Sequence, residues 1–120
     1  MATNIKIDLM NNLCNFLNSR EFETGLSNKN TFGKFVHVGQ FQIDRYMIET
    51  KMTSCASSHD LIVLILEHCK LIELLKKYNV PRVKFYAHRD YATEAIIFNV
   101  LCYLSKEEEF IFRLSDGSAA

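Results

Sequence analysis

Apolar positions along this chain change period from helical to strand-like at Lys34, and that change organises the reading of the fold. Over residues 4–18, Ile5, Leu9, Leu13, Phe16 and Leu17 recur at helical spacing while Asp8, Asn11, Asn15 and Asn18 gather on the other side. The pattern predicts an amphipathic helix, with Thr3 or Asn4 as its cap. Arg20–Asn30 reads as a polar connection. From Lys34 onward come Phe35–Val38 and Phe41–Met52, with Gly39-Gln40 between them placed as a tight turn, so an antiparallel hairpin is expected.

Leu61–Tyr78 then predicts a helix, opened by a capping serine at Ser57 or Ser58 with Asp60 behind it, and stopped by Asn79-Val80-Pro81. Val83–Ala87 predicts a strand, Ala92–Leu104 a helix, and Phe110–Leu114 a last strand after the charged turn Lys106–Glu109. The expected order is α-β-β-α-β-α-β. That is an α/β class, with α+β as the alternative: a single-domain sandwich on a mixed four-stranded sheet, built by two right-handed βαβ crossovers. Residues 1–114 form the expected domain, and 115–120 are read as a flexible tail.

Under this reading the helices carry more apolar surface than one core requires. At about 100° per residue, Leu61, Leu64, Ile65, Cys69, Leu71, Ile72 and Leu75 share a stripe, while Val63, Leu66 and Leu74 fall on the reverse side among Glu67, Lys70 and Lys77. In the segment read as the third helix, Ile96, Ile97, Val100, Leu101 and Leu104 make one arc and Phe98 and Cys102 project from another. An element apolar nearly all round needs cover on more than one side. Val63, Leu66, Leu74 and Phe98 are therefore candidate interface residues, each worth roughly 1.5–3 kcal/mol if a partner buries it.

Composition narrows the function classes. The 120 residues suit one domain, and 14 basic residues balance 14 acidic ones, so the global charge of a nucleic-acid binder is absent. The N-terminal residues lack the features of a secretory signal, and the longest apolar run, Leu61–Leu66, is far too short for a membrane span. A soluble, cytoplasmic protein without membrane contact is expected. Its four cysteines, Cys14, Cys55, Cys69 and Cys102, are then expected to be reduced, three of them as small core hydrophobes.

Candidate chemistry centres on the two expected strand-to-helix junctions. Ser57, Ser58 and His59 at the first, with His88, Arg89 and Asp90 at the second, could hold an anion, because helix N-termini offer unpaired amides and arginine a bidentate fork. Ordinary capping explains Ser57, Ser58 and Asp90 as well. Asp44, Glu49 and Lys51 resemble the metal-binding signature of restriction-type nucleases, although their close spacing leaves no room for the turn between neighbouring strands. Cys55, His59, His68 and Cys69 have zinc-ligand chemistry without zinc-site spacing, since His68 and Cys69 are adjacent on a helix. Cys55 beside His59 suggests a thiol and base with nothing to orient the imidazole, and His88-Arg89-Asp90 matches a kinase triplet without its companion motifs.

Phe35, Phe41, Tyr46, Phe85, Tyr86, Phe110 and Phe112 interleave with Lys34, Arg45, Lys51, Arg82, Lys84 and Arg113. On an exposed sheet face such a set could stack and neutralise single-stranded nucleic acid. No cofactor or resident metal is implied. The sequence is read as a small protein-binding module of inhibitor, immunity or adaptor type that self-associates or takes a protein partner. The alternative is a nucleic-acid-binding or metal-dependent nuclease-like module using Asp44, Glu49 and Lys51.

Overall fold

The computed structural model describes residues 2–26 and 32–115, with side chains from Leu9 onward. Helix α1 (Ala2–Leu17) leads into strand β1 (Arg20–Glu23) and then β2 (Lys34–Asp44). Helix α2 (Arg45–Thr50), one turn of 3₁₀ helix (Met52–Ser54), α3 (Ser58–His68) and α4 (Ile72–Lys77) follow. The chain ends in β3 (Arg82–Asp90), β4 (Ala95–Leu104) and α5 (Lys106–Ser115). The four strands form one sheet in the order β1-β3-β4-β2, and each neighbouring pair is antiparallel. The mixed α and β class and the four-stranded sheet match expectation. The two parallel crossovers do not occur.

The largest correction concerns 95–104, expected as helix and found as a central strand. Its inward residues Ile96, Phe98, Val100, Cys102 and Leu104 are buried, and Ile97, Asn99, Leu101 and Tyr103 alternate with them on the other side. Because the outward set is also largely apolar, the period of two is masked. The β-branched and aromatic side chains still favour a pleated surface. A four-residue turn joins β3 to β4. There the Asp90 carboxylate accepts from the Ala92 amide at 3.2 Å and the Thr93 hydroxyl at 2.7 Å, closing a hairpin where a helix start was expected.

Three further corrections have local causes. Residues 45–50 are helical because Asp44 caps them, accepting from the Met47 amide at 2.9 Å. Residues 110–114 belong to α5, which opens with a capping box: Glu108 Oε1 accepts from the Ser105 amide at 2.8 Å, and Ser105 Oγ accepts from the Glu108 amide at 3.2 Å. The expected hairpin at Gly39-Gln40 is one continuous eleven-residue strand with a bulge between His37 and Gly39. Gly39 serves close approach, not a turn, since a Cβ there would lie 2.8 Å from the Phe41 ring.

The expected helix over 61–78 is broken at Lys70, which takes a left-handed φ of 58°. The Leu71 amide reaches back to Leu66 O and the Lys70 amide to Glu67 O, both at 3.0 Å, so a Schellman end forms without glycine. Ser57 caps α3 as expected, accepting from the Asp60 amide at 3.2 Å. The helix expected over 4–18 is α1, which begins ahead of Thr3 and Asn4. The polar connection expected from Arg20 includes the short strand β1, whose Phe22 joins Phe16 and Phe85 in a ring cluster. Of the expected tail, Ser115 closes α5 and 116–120 lie outside the described residues.

One sheet face carries the core. Val83, Phe85 and Ala87 of β3, the inward row of β4, and Val36 and Ile43 of β2 pack with Met10, Leu13, Cys14 and Leu17 of α1, Ile48 of α2, Ile62, Ile65 and Leu66 of α3, and Leu75 of α4. Among the described residues no helix is long and apolar enough to cross a membrane.

Candidate functional site

Two surfaces result from this arrangement. The first is a cavity of about 340 Å³ on the helical side, where β1, β3, α3 and α4 meet. Phe22, Leu26, Ile62, Leu66, Leu75 and Val83 contribute apolar walls, and Val63 and Ile72 complete them from α3 and α4. Ser58 and His59 from the start of α3, Glu23 at the end of β1 with Thr24 just after it, and Lys76 from α4 supply its polar groups. The β1 side is fastened by the Thr24 hydroxyl, which donates to Val80 O and accepts from the Leu26 amide. An apolar cavity of this size with a few polar groups suits one or two large side chains or a small apolar molecule.

The second surface is the other face of the sheet. Phe35, Ile97, Leu101 and Tyr103 are half-buried yet stand outside the core cluster, because strand alternation turns them away from the helices. Beside them lie Arg82, Lys84, Tyr86 and His88 of β3 and His37, Gln40 and Gln42 of β2, none of them buried. Phe35 and Tyr103 meet edge to face with centroids 5.5 Å apart, and the Arg82 guanidinium lies 4.3 Å from the Tyr103 centroid. The Lys84 ammonium sits 5.1 Å from the Tyr86 centroid and 5.8 Å from that of Phe35. His37 Nε2 and Asn99 Oδ1 are hydrogen-bonded at 2.8 Å. Glu21, at the β1 edge, approaches Arg82 at 3.9 Å.

The residues singled out from sequence divide between these places and the interior. Ser58, His59, Val63 and Leu66 converge on the cavity, although they were chosen for two different reasons. Phe98, expected at an interface, is fully buried under Phe85 and Phe41, and Leu66 is also buried, so the protein's own core covers both. Leu74 is half-buried and packs against that core. The four proposed anion ligands do not form one site. His88 points to the open sheet face. Arg89, the next residue, turns to the helical face, donates from Nη1 to Asn11 Oδ1 at 2.9 Å and stacks on Tyr91.

The carboxylates proposed for a metal are also separated in role. Asp44 is a helix cap, Glu49 faces Arg45 at 3.9 Å, and Lys51 ends the short helix α2. Among the described residues no group of three or more His, Cys, Asp or Glu side chains is placed to hold a metal ion. Cys14, Cys69 and Cys102 are buried. Burial pushes the thiols of Cys69 and Cys102 up to about 12, and it raises that of Cys14 against the opposing charge of Arg89. Such thiols are inert hydrophobes, not nucleophiles.

Sequence periodicity missed the apolar stripe on α5, where Phe110 and Leu114 are 62% and 58% exposed and Ile111 lies beside them. The capping box at Ser105 and Glu108 was the signal for that helix. No protein-family profile, curated protein or solved structure matches the chain.

Proposed function

We propose that this protein is a small association module, of the inhibitor, immunity or adaptor kind, whose apolar cavity receives an anchor from another protein chain. The observation that carries this reading is the cavity itself, with its walls from Phe22, Ile62, Val63 and Ile72 and its polar groups from Ser58, His59 and Lys76. Cavities of this form are where partner side chains concentrate binding energy.

A second copy is the occupant best matched by the protein's own surface. Phe110, Ile111 and Leu114 form an apolar stripe on α5 that is exposed among the described residues, spaced as the anchors of a helix that enters a groove. Burying three such side chains yields roughly 4–9 kcal/mol in gross terms, while association itself costs about 4–15 kcal/mol. One exchange is near break-even. Two reciprocal exchanges about a two-fold axis share that single cost, so a closed dimer is favoured over a chain of one-way contacts.

Light scattering after size exclusion tests this directly. Wild type is expected to shift from monomer to dimer with increasing concentration. Phe110→Ser combined with Leu114→Ser on α5, and separately Val63→Asp in the cavity wall, are each expected to leave monomers. A wild-type protein that stays monomeric at high concentration overturns the reading, as does a dimer that both variants preserve.

A further inference from the structure

We infer that the face of the sheet turned away from the helices is a binding platform for single-stranded nucleic acid, a site separate from the cavity and independent of the association proposed above. Four-stranded sheets that bind single strands present aromatic rings on the face turned away from their helices, with cations close by for the phosphates. Here Phe35 and Tyr103 meet on that face, Tyr86 stands further along it at 42% exposure, and Arg82 and Lys84 lie over these rings.

Register gives the platform its spacing. Lys84 is opposite Leu101 and Tyr86 opposite Asn99, while the Arg82 guanidinium lies over the Tyr103 ring. The two ring positions are thus four residues apart along the strands, about 13 Å, with Lys84 midway. A flexible strand laid across the face could stack a base at each end and bring a backbone phosphate to the ammonium between them. The planar guanidinium of Arg82, already on Tyr103, adds a further stacking surface.

Charge separates this occupant from a second copy of the same face. Back-to-back sheets whose two-fold axis passes between Arg82 and Lys84 would bring these cations toward their own copies, and like charges brought together at an interface oppose association. An anionic chain meets the same two cations favourably. On β1, Glu21 stands opposite Lys84 and approaches Arg82 at 3.9 Å, and Glu23 stands opposite Arg82, so carboxylates at that edge offset part of this charge while Lys84 keeps the central position between the two ring sites.

The test is fluorescence anisotropy of labelled oligothymidylate, oligouridylate and a duplex of equal length, at two or more salt concentrations. Both single strands are expected to bind at least about tenfold more tightly than the duplex, which offers no unstacked bases; a difference between the DNA and RNA arms identifies the preferred sugar. Tyr103→Ala and Tyr86→Ala are each expected to weaken binding by about 5- to 100-fold. Lys84→Gln is expected to flatten the dependence of log affinity on log salt by about 0.7. Tyr86 is exposed enough for its replacement to leave the fold intact, which circular dichroism checks. The Phe110→Ser, Leu114→Ser variant is expected to bind as wild type does, whatever its oligomeric state.

Equal affinity for duplex and single strands overturns the proposal, and so does an unchanged affinity in both tyrosine variants. A face that binds no oligonucleotide but loses a concentration-dependent dimer on Tyr103→Ala is a protein interface, which overturns it as well.

Discussion

The two faces of this sheet are made from neighbouring residues of the same strands, yet they obey different rules. On one face Phe85, Phe98, Val100 and Cys102 are completely enclosed by helices. On the other, Tyr103, Leu101 and Phe35 are nearly as apolar but are packed with Arg82, Lys84, His37 and Asn99. Apolar character alone does not assign a side chain to the interior. Its neighbours do: where cations and amides share the surface, the rings stay only half-buried, and where only hydrocarbon surrounds them, they hold the fold together.

The strongest test of this difference compares two ring deletions on β4. Phe98→Ala is expected to lose about 3–5 kcal/mol of stability, measured by urea unfolding, because it opens a void in a closed core. Tyr103→Ala, on the other face, removes a half-buried ring with its Phe35 and Arg82 contacts, at a smaller cost of about 1–2 kcal/mol. Similar losses at both positions would erase the distinction between the faces.

Thiol chemistry can sharpen the same comparison one residue apart. Cys102 is buried, with its thiol pushed up to about 12, whereas a cysteine placed at half-exposed Leu101 faces outward. In native protein the Leu101→Cys thiol is expected to be alkylated faster than Cys102 by on the order of 100-fold. Peptide mapping by mass spectrometry reads the ratio. Comparable rates would mean that β4 opens too readily for its two faces to differ.

Gly39→Ala probes the bulge on β2. The added methyl meets the half-buried Phe41 ring, which itself leans on Phe98 at 5.9 Å, so a loss of about 1–3 kcal/mol is expected. The smallest effect is electrostatic. Hydrogen bonds from Arg113, and then Lys34, hold the Glu109 carboxyl below its ordinary range. A carboxyl whose folded value is depressed contributes stability that is fully present above the ordinary glutamate range and disappears as pH falls through the folded value. Glu109→Gln should remove that acid sensitivity, amounting to less than about 1 kcal/mol because the cations Lys34 and Arg113 are exposed to solvent, as followed by thermal unfolding between neutral and acid pH.

What the sequence made legible depended on how distinct each face was. Helix α1 has asparagines opposite its leucines, and β3 combines buried Val83 and Phe85 with bounding turn residues, so both followed from periodicity. β4 did not, because Ile97, Leu101 and Tyr103 made its outer face apolar and imitated a helix buried on all sides. The helix break at Lys70 was hidden for a different reason, since a lysine occupies a backbone conformation that glycine usually signals. The cavity was half legible: Ser58 and His59 attracted attention as a helix start, and Val63 and Leu66 as surplus apolar surface. Only the antiparallel fold places all four around one space.

The eleven-residue β2 lies at one margin of the sheet, with β4 beside it and no further strand on its other side among the described residues. Such a margin is a template on which a foreign strand could add and begin a fibril. Two details blunt it: the irregularity at Val38 interrupts the ladder, and the His68 ring lies 3.2 Å from the Gln42 carbonyl oxygen. Straightening the strand by deleting Val38 should therefore reveal itself as turbidity and thioflavin binding, even if the remaining molecules still fold.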